Sequence, residues 1–330
     1  MARSPRVHVQ KRPLMDVCNR TVQGLSLLRP DATFNALVVG ALAKAQEDFP
    51  VALHAGAVMG NHWHLLMTPE DVEQQAGFVG SFTRRLSLIA GRRHDWQGPI
   101  FVERYQAIEI SAEDEAQARR LKYVLANGCK EGLVASPIDW PGVPFARALL
   151  GDRVLKGVWI DRDALYEARR RGEVVSEMDF ADEVEVVLEP LPCWAHLSPE
   201  GYGQAVRGLI DRVEEETAAM HAVDGTRPAG AAAVMSADPW TRRRLERAPV
   251  SSVLAASARM WKELLDGYRA RVATYRTASE RLRSGVRNTV FPPNCFPPAL
   301  PFVPASPSSG VPAYPEERVD GPSEAHPGPD

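Results

Sequence analysis

Residues 60–69 read Gly-Asn-His-Trp-His-Leu-Leu-Met-Thr-Pro, and no other stretch constrains the chain as much. Between the Gly-Asn pair and the proline, the run reads as a β-strand. A strand alternates faces with a period of two, so His62 and His64 share one face while Trp63, Leu65 and Met67 share the other. Two neutral imidazoles on one face can hold adjacent positions on a metal ion. Paired strand histidines are also common as ordinary satisfied side chains. The pair takes its meaning from partners elsewhere in the chain.

Around this strand the hydrophobic pattern lays out a short succession of elements. The basic first thirty residues contain β-like pieces at 7–9 and 16–22. Phe34, Leu37, Val38, Ala41, Leu42 and Ala45 recur at helical spacing over 32–47, with Asp31 placed as N-cap. A strand over 53–59 turns at Gly60-Asn61 into the histidine strand. Thr68-Pro69-Glu70-Asp71 resembles a helix start, with a capping hydroxyl, proline in the first turn and two acids at the positive end of the dipole. Val72, Val79, Phe82, Leu86 and Ile89 carry that helix to about residue 90. Its other face bears Arg84, Arg85, Arg92 and Arg93, which fits either a solvated surface or phosphate contacts. A strand over 101–110 and a helix over 113–127, stopped by Gly128, complete the series. The order β, α, β, β, α, β, α predicts an α+β fold, a ferredoxin-like antiparallel sheet with packed helices.

Composition narrows the class. The chain has 330 residues, 45% hydrophobic and 25% charged, as expected of a globular protein with two ordered regions. No stretch approaches a membrane span or a signal peptide, which predicts a cytoplasmic protein. Cys18, Cys129, Cys193 and Cys295 lack CxxC spacing, so neither a disulfide framework nor a cysteine zinc site is indicated. Residues 1–150 hold 17 Lys/Arg against 15 Asp/Glu, and residues 151–330 hold 22 against 27. A weakly positive first part permits phosphate contacts without demanding them. The sequence predicts an α+β domain over 1–150, a mostly helical extension over 151–285 and a disordered proline-rich tail over 286–330. The extension includes a short helix at 161–171, a strand near 184–191, and a helix opened by Ser198. A heptad seam over 253–283 fits one packed helix or a dimeric coiled coil. Residues 292–330 hold 12 of the 27 prolines.

The pair His62/His64 belongs to no HExxH zinc-protease motif and has no aspartate two residues on to make HxHxD. A third ligand has to come from elsewhere. Tyr123 and Asn127 stand at i and i+4 on one helical face. A buried tyrosine that merely packs its ring is the plain alternative. Beside a metal, however, such a phenol is a candidate nucleophile. It needs that help because its ordinary pKa is about 10, and a divalent cation polarises the phosphate under attack.

Three blocks now stand in a recognisable order: Gly60-Asn-His62-Trp-His64-Leu-Leu-Met-Thr-Pro69, Phe101-Val-Glu-Arg104, and Leu121-Lys-Tyr123-Val-Leu-Ala-Asn127-Gly-Cys-Lys130-Glu-Gly132-Leu-Val134. Together they resemble the single-tyrosine HUH transposases, in particular the REP-associated tyrosine transposases related to small insertion-sequence transposases. The resemblance spans roughly residues 10–150. It implies that His62, His64 and Asn127 hold Mg²⁺ or Mn²⁺ and that Tyr123 attacks single-stranded DNA to form a 5′-phosphotyrosine. Two imidazoles would equally accept a softer metal. It implies hairpin-forming single strands as substrates and allows a homodimer in which the tyrosine helix serves the partner's histidines. Arg84, Arg85, Arg119 and Lys122 are the candidate phosphate contacts, and exposed aromatics could stack on bases. Gly60 replaces the family's usual Pro or Ser, and Gly128-Cys129 replaces Pro-Val. The alternatives are a domesticated DNA- or RNA-binding protein of the same fold without turnover and, more remotely, a metal-dependent hydrolase of small molecules.

Overall fold

Capped helices alternate with short apolar strands to build one layered body. The computed structural model describes residues 5–242, 251–296 and 298. β1 (Leu14–Arg20) leads through α1 (Ala32–Asp48) to the hairpin of β2 (Ala52–Val58) and β3 (His62–Thr68). Then come α2 (Val72–His94), β4 (Gln106–Ile110), α3 (Asp114–Leu125) and the single turn α4 (Asn127–Lys130). The chain continues through α5 (Phe145–Leu150), β5 (Val154–Ile160), α6 (Arg162–Arg170), β6 (Ala181–Val187) and α7 (Pro199–Asp224). It closes with α8 (Ala231–Ser236), β7 (Val253–Leu254) and α9 (Ala258–Arg283).

The main sheet has the order β2-β3-β1-β4-β7. Its first four strands pair antiparallel throughout, with β1 inserted between β3 and β4. That order and pairing are those of a split βαβ arrangement. The purely antiparallel sheet expected from the sequence is corrected by β7, which runs parallel to β4 at Glu109↔Val253 and Ile110↔Leu254. The fold is therefore mixed α/β with a mixed sheet.

Both faces of β3 are covered. Trp63 is fully buried and meets Phe82 of α2 edge-on, with ring centroids 5.3 Å apart. Burying such a ring contributes roughly 1.5–3 kcal/mol. On the opposite face α3 lies over the sheet with Leu121 and Val124 fully buried. α1 is capped as expected, the Asp31 carboxylate accepting from Phe34 N at 2.7 Å.

Other boundaries differ, each for a physical reason. α2 starts at Val72, because Asp71 is its cap and accepts from Gln74 N at 2.7 Å. The Thr68 hydroxyl is instead engaged by His54 Nε2 at 2.9 Å. Only 106–110 of the expected 101–110 strand pairs with β1. Gly128 does not stop α3. It lies inside α4, where a Cβ would come within 2.9 Å of the Trp140 ring, and the left-handed residue is Gly132 at φ +66°.

The region expected as a mostly helical extension over 151–285 carries α6, α7, α8 and α9 together with β5 and β6, and it packs into the rest of the body. β5 and β6 form a two-stranded antiparallel sheet against α1. The approach is so close that a Cβ on Gly40 would sit 2.0 Å from Val158 O. α7 packs on α3, α4 and α5. Glu113 accepts from Ala256 N at 2.8 Å and from Ser257 N at 3.1 Å, fastening the segment after β7 to the start of α3. Met1–Pro297 accordingly form one compact unit, undivided at residue 150. α9 packs through Leu264 and Val272, and Arg271 Nη2 donates to Val9 O at 3.1 Å. Most of the expected disordered tail lies outside the described residues. Within it, Cys295 bridges to Val7. Among the described residues no helix is long and apolar enough to cross a membrane.

Candidate active site

Strand alternation puts His62 and His64 on the α3 side of the sheet, across from Arg20 and Cys18 of β1. Their ring centroids are 5.6 Å apart, and only 5% and 7% of the two residues is exposed. Each ring is oriented by an oxygen at Nδ1. His64 Nδ1 donates to Asp16 Oδ1 at 3.0 Å. His62 Nδ1 lies 2.7 Å from Asn61 Oδ1, while Asn61 Nδ2 donates to Gly24 O at 3.4 Å and so fixes which amide atom faces the imidazole. An Nδ1–H donated to oxygen leaves the lone pair of a neutral ring on Nε2, the usual arrangement behind a metal-binding histidine.

Asp16 is fully buried and holds Arg120 as well, accepting from Arg120 Nε at 2.5 Å and from its Nη2. Burial alone would push its carboxyl up, but His64 and the Arg120 guanidinium outweigh burial and hold it below the usual carboxylate range. A buried carboxylate is tolerable only with such partners. Asp16 thereby links β3, β1 and α3.

α3 presents Arg120 and Tyr123 one turn apart on the face it turns to the histidines. The Tyr123 ring meets His64 edge-on at 5.9 Å between centroids. Arg120 Cζ stands 4.1 Å from the ring centroid and Lys130 Nζ 3.7 Å from it. The ring is thus gripped by three side chains of its own chain, yet Tyr123 is 36% exposed, unlike a tyrosine that only fills a core. Burial, and then Arg120, push the Lys130 ammonium below its ordinary value. Cys18 is the other nucleophilic side chain nearby. Burial and then Asp16 drive its thiol up to about 12, so it stays protonated and unreactive at neutral pH.

Asn127 is 7% exposed and its bonds run back along its own helix, Nδ2 donating to Val124 O at 2.9 Å and to Tyr123 O at 3.3 Å. Spending the amide nitrogen this way leaves Oδ1 as its donor atom to a hard cation. Among the described residues no group of three or more His, Cys, Asp or Glu side chains is placed to hold a metal. The third ligand expected from the sequence, Asn127, makes these hydrogen bonds within its own helix rather than with His62 or His64. The donor set of two imidazole nitrogens and one carboxamide oxygen fits a divalent ion in chemistry.

The candidate phosphate contacts are dispersed. Arg85 pairs with Asp48 at 3.0 Å, Arg119 with Glu115, and Lys122 with Glu216. Arg84 is exposed and lines a cleft beside α2. Sequence reasoning misses Asp16 and gives Arg120 and Lys130 no role. An aspartate inside the apolar run Leu14-Met15-Asp16-Val17 is the available signal, since a charge there requires a buried partner.

No family model matches the chain, and no curated protein matches it. Among the solved structures similar to parts of it are two transposases. One is a REP-associated tyrosine transposase bound to a REP hairpin, 20% identical, covering 45% of this chain and 85% of that one, with a TM-score of 0.35. The other is a protein of Deinococcus radiodurans R1 classed as a transposase, 19% identical, covering 34% of this chain and 87% of that one, with a TM-score of 0.26. Neither likeness reaches half of this chain, and the function proposed below rests on the side chains themselves.

Proposed function

We propose that the chain is a metal-dependent, transposase-like endonuclease and strand transferase of the HUH type acting on single-stranded or hairpin DNA. The observation that carries this reading is the contact of Tyr123 with His64, whose far nitrogen is pinned by Asp16. The order of the histidine and tyrosine motifs supports it as well.

In the proposed reaction Tyr123 Oη attacks a backbone phosphorus and the bond from phosphorus to the 3′-oxygen breaks. The phenol proton is lost to solvent, the 3′-oxygen gains one, and a 5′-phosphotyrosine remains. Attack by the 3′-hydroxyl of another strand reverses the step and expels the tyrosine, so one phosphodiester replaces another without ATP. A divalent cation such as Mg²⁺ or Mn²⁺, held by His62, His64 and Asn127, would polarise the phosphate and stabilise the charge that builds on it. Arg120 and Lys130, stacked against the tyrosine ring, place positive charge beside the attacked phosphate. Asp16 fixes both His64 and Arg120, so one carboxylate sets the relative position of the metal-side and nucleophile-side groups.

Incubation of the full chain with end-labelled single-stranded DNA and Mn²⁺ is expected to give an adduct that survives denaturation. Tyr123→Phe should abolish it and EDTA should suppress it. An undiminished adduct in Tyr123→Phe would falsify the assignment. Metal-independent binding with no cleavage of any hairpin would favour a binding protein of the same fold.

A further inference from the structure

A trough of about 770 Å³ opens between α2 and the loop before β4, and no step of the chemistry above uses it. Asn19 of β1 lines it, whereas Cys18 and Arg20 on either side of Asn19 pair with His64 and His62. By strand alternation the trough therefore lies on the opposite face of the sheet from the histidines.

Its walls combine two kinds of group. Arg6, Arg84, Arg92 and Arg104 line it against only two acids, Asp95 and Glu103, in a chain whose net charge is −3. Trp96, Phe101 and Tyr105 supply aromatic surface in the same trough. Arg85 and Arg93 of α2 are ion-paired with Asp48 and Asp31, but Arg84 has no acidic partner among the described residues. Among the described residues, the buried atoms Arg6 Nε and Thr83 Oγ1 at the trough have no hydrogen-bond partner. Buried polar groups are seldom left so, and here both lie within the wall of one cleft. Arg6 also stacks on the Tyr105 ring at 3.5 Å, and both residues line a second trough of about 560 Å³ that runs on to His8, Ser251 and Tyr268.

Guanidinium groups interleaved with aromatic faces along an open trough suit a polyanion whose flat rings are unstacked. Single-stranded nucleic acid has that chemistry: arginines take phosphates, and each base stacks on an aromatic side chain for roughly 1–3 kcal/mol. A duplex keeps its base faces hidden, and a run of acidic residues alone has no such faces to offer. We propose that this trough binds unpaired nucleotides of the strand that Tyr123 attacks, a proposal that rests on the nuclease reading above.

Binding and cleavage can be read apart. The full chain would be titrated in EDTA with a fluorescein-labelled single-stranded oligothymidylate. Arg84→Glu should weaken binding by about tenfold and make the slope of log K against log salt shallower by roughly 0.7 for each phosphate no longer neutralised. Arg84→Lys should restore most of the affinity. Irradiation of wild-type chain on an iodouracil-substituted strand should crosslink peptides spanning 96–105, a result that does not depend on any variant folding. A complementary duplex or free thymidine monophosphate should compete poorly. Unchanged affinity in a folded Arg84→Glu chain, crosslinks confined to other peptides, or equal competition by the mononucleotide would each overturn the proposal. Tyr123→Phe should bind as the wild type does. A strand held in the trough by a chain that never forms the adduct refutes the nuclease reading alone. Adduct formation with trough residues uninvolved refutes this inference alone.

Discussion

His54 on β2 and His64 on β3 are buried imidazoles on adjacent strands of one sheet, and they are held in different ways. His54 is the extra residue where the register between β2 and β3 slips between Leu53 and Ala55. Both its nitrogens are taken, Nε2 by Thr68 Oγ1 at 2.9 Å and Nδ1 by Glu189 O at 3.2 Å. His64 has only Nδ1 engaged, by Asp16, and among the described residues nothing hydrogen-bonds its Nε2. Burial and residue type therefore do not separate a structural histidine from a candidate ligand. The second nitrogen does.

The largest test of that contrast exchanges chemistry for stability. His64→Ala should eliminate the protein–DNA adduct while the chain stays folded, and His54→Gln should leave adduct formation intact. Equal losses in the two variants would collapse the distinction.

Next in size is a pH effect belonging to His54 alone. Burial pushes its pKa down to about 4 from 6.5. A neutral His54 stabilises the fold fully above the unfolded value, and that contribution is lost as pH falls from about 6.5 towards 4, because the unfolded chain takes up the proton first. A shift of this size corresponds to about 3 kcal/mol. Urea unfolding at neutral pH and near pH 4 should show the wild type losing that much more stability than His54→Gln.

A smaller change concerns the group behind His64. Asp16→Asn should weaken Mn²⁺ binding by between about 10- and 100-fold, the usual range for a residue that orients a metal ligand. Titration calorimetry with Mn²⁺ alone measures it. An unchanged affinity would mean that Asp16 serves only to hold Arg120.

Much of this is legible without coordinates. The bounds of β3 follow from Gly60-Asn61 and Pro69, and the start of α1 follows from Asp31. The start of α2 is not, because Thr68-Pro69 imitates a capped first turn while the hydroxyl is committed to His54 across the hairpin. The trough wall at 101–105 resembles strand because Phe101 and Val102 have strand-forming side chains. Nothing local shows that pairing with β1 begins only at Gln106. Tyr123 and Asn127 stand out by their spacing on one helix. Arg120 does not announce itself as the partner of Asp16, since 104 residues separate them and only the folded chain brings them together.

The two-residue strand β7 has a consequence for how the molecule is made. Until it is in place, the outer rim of β4 keeps unsatisfied backbone groups, an invitation to pair with another chain. The clasp that follows joins Glu113 to Ala256, 143 residues further on, so it cannot close while the ribosome is still producing the middle of the protein. Contacts of such long range form slowly and leave the half-made sheet open to misassembly. A nascent chain carrying the histidines and the tyrosine is thus an unfinished tool, and maturation of the candidate nuclease waits on the arrival of its final third.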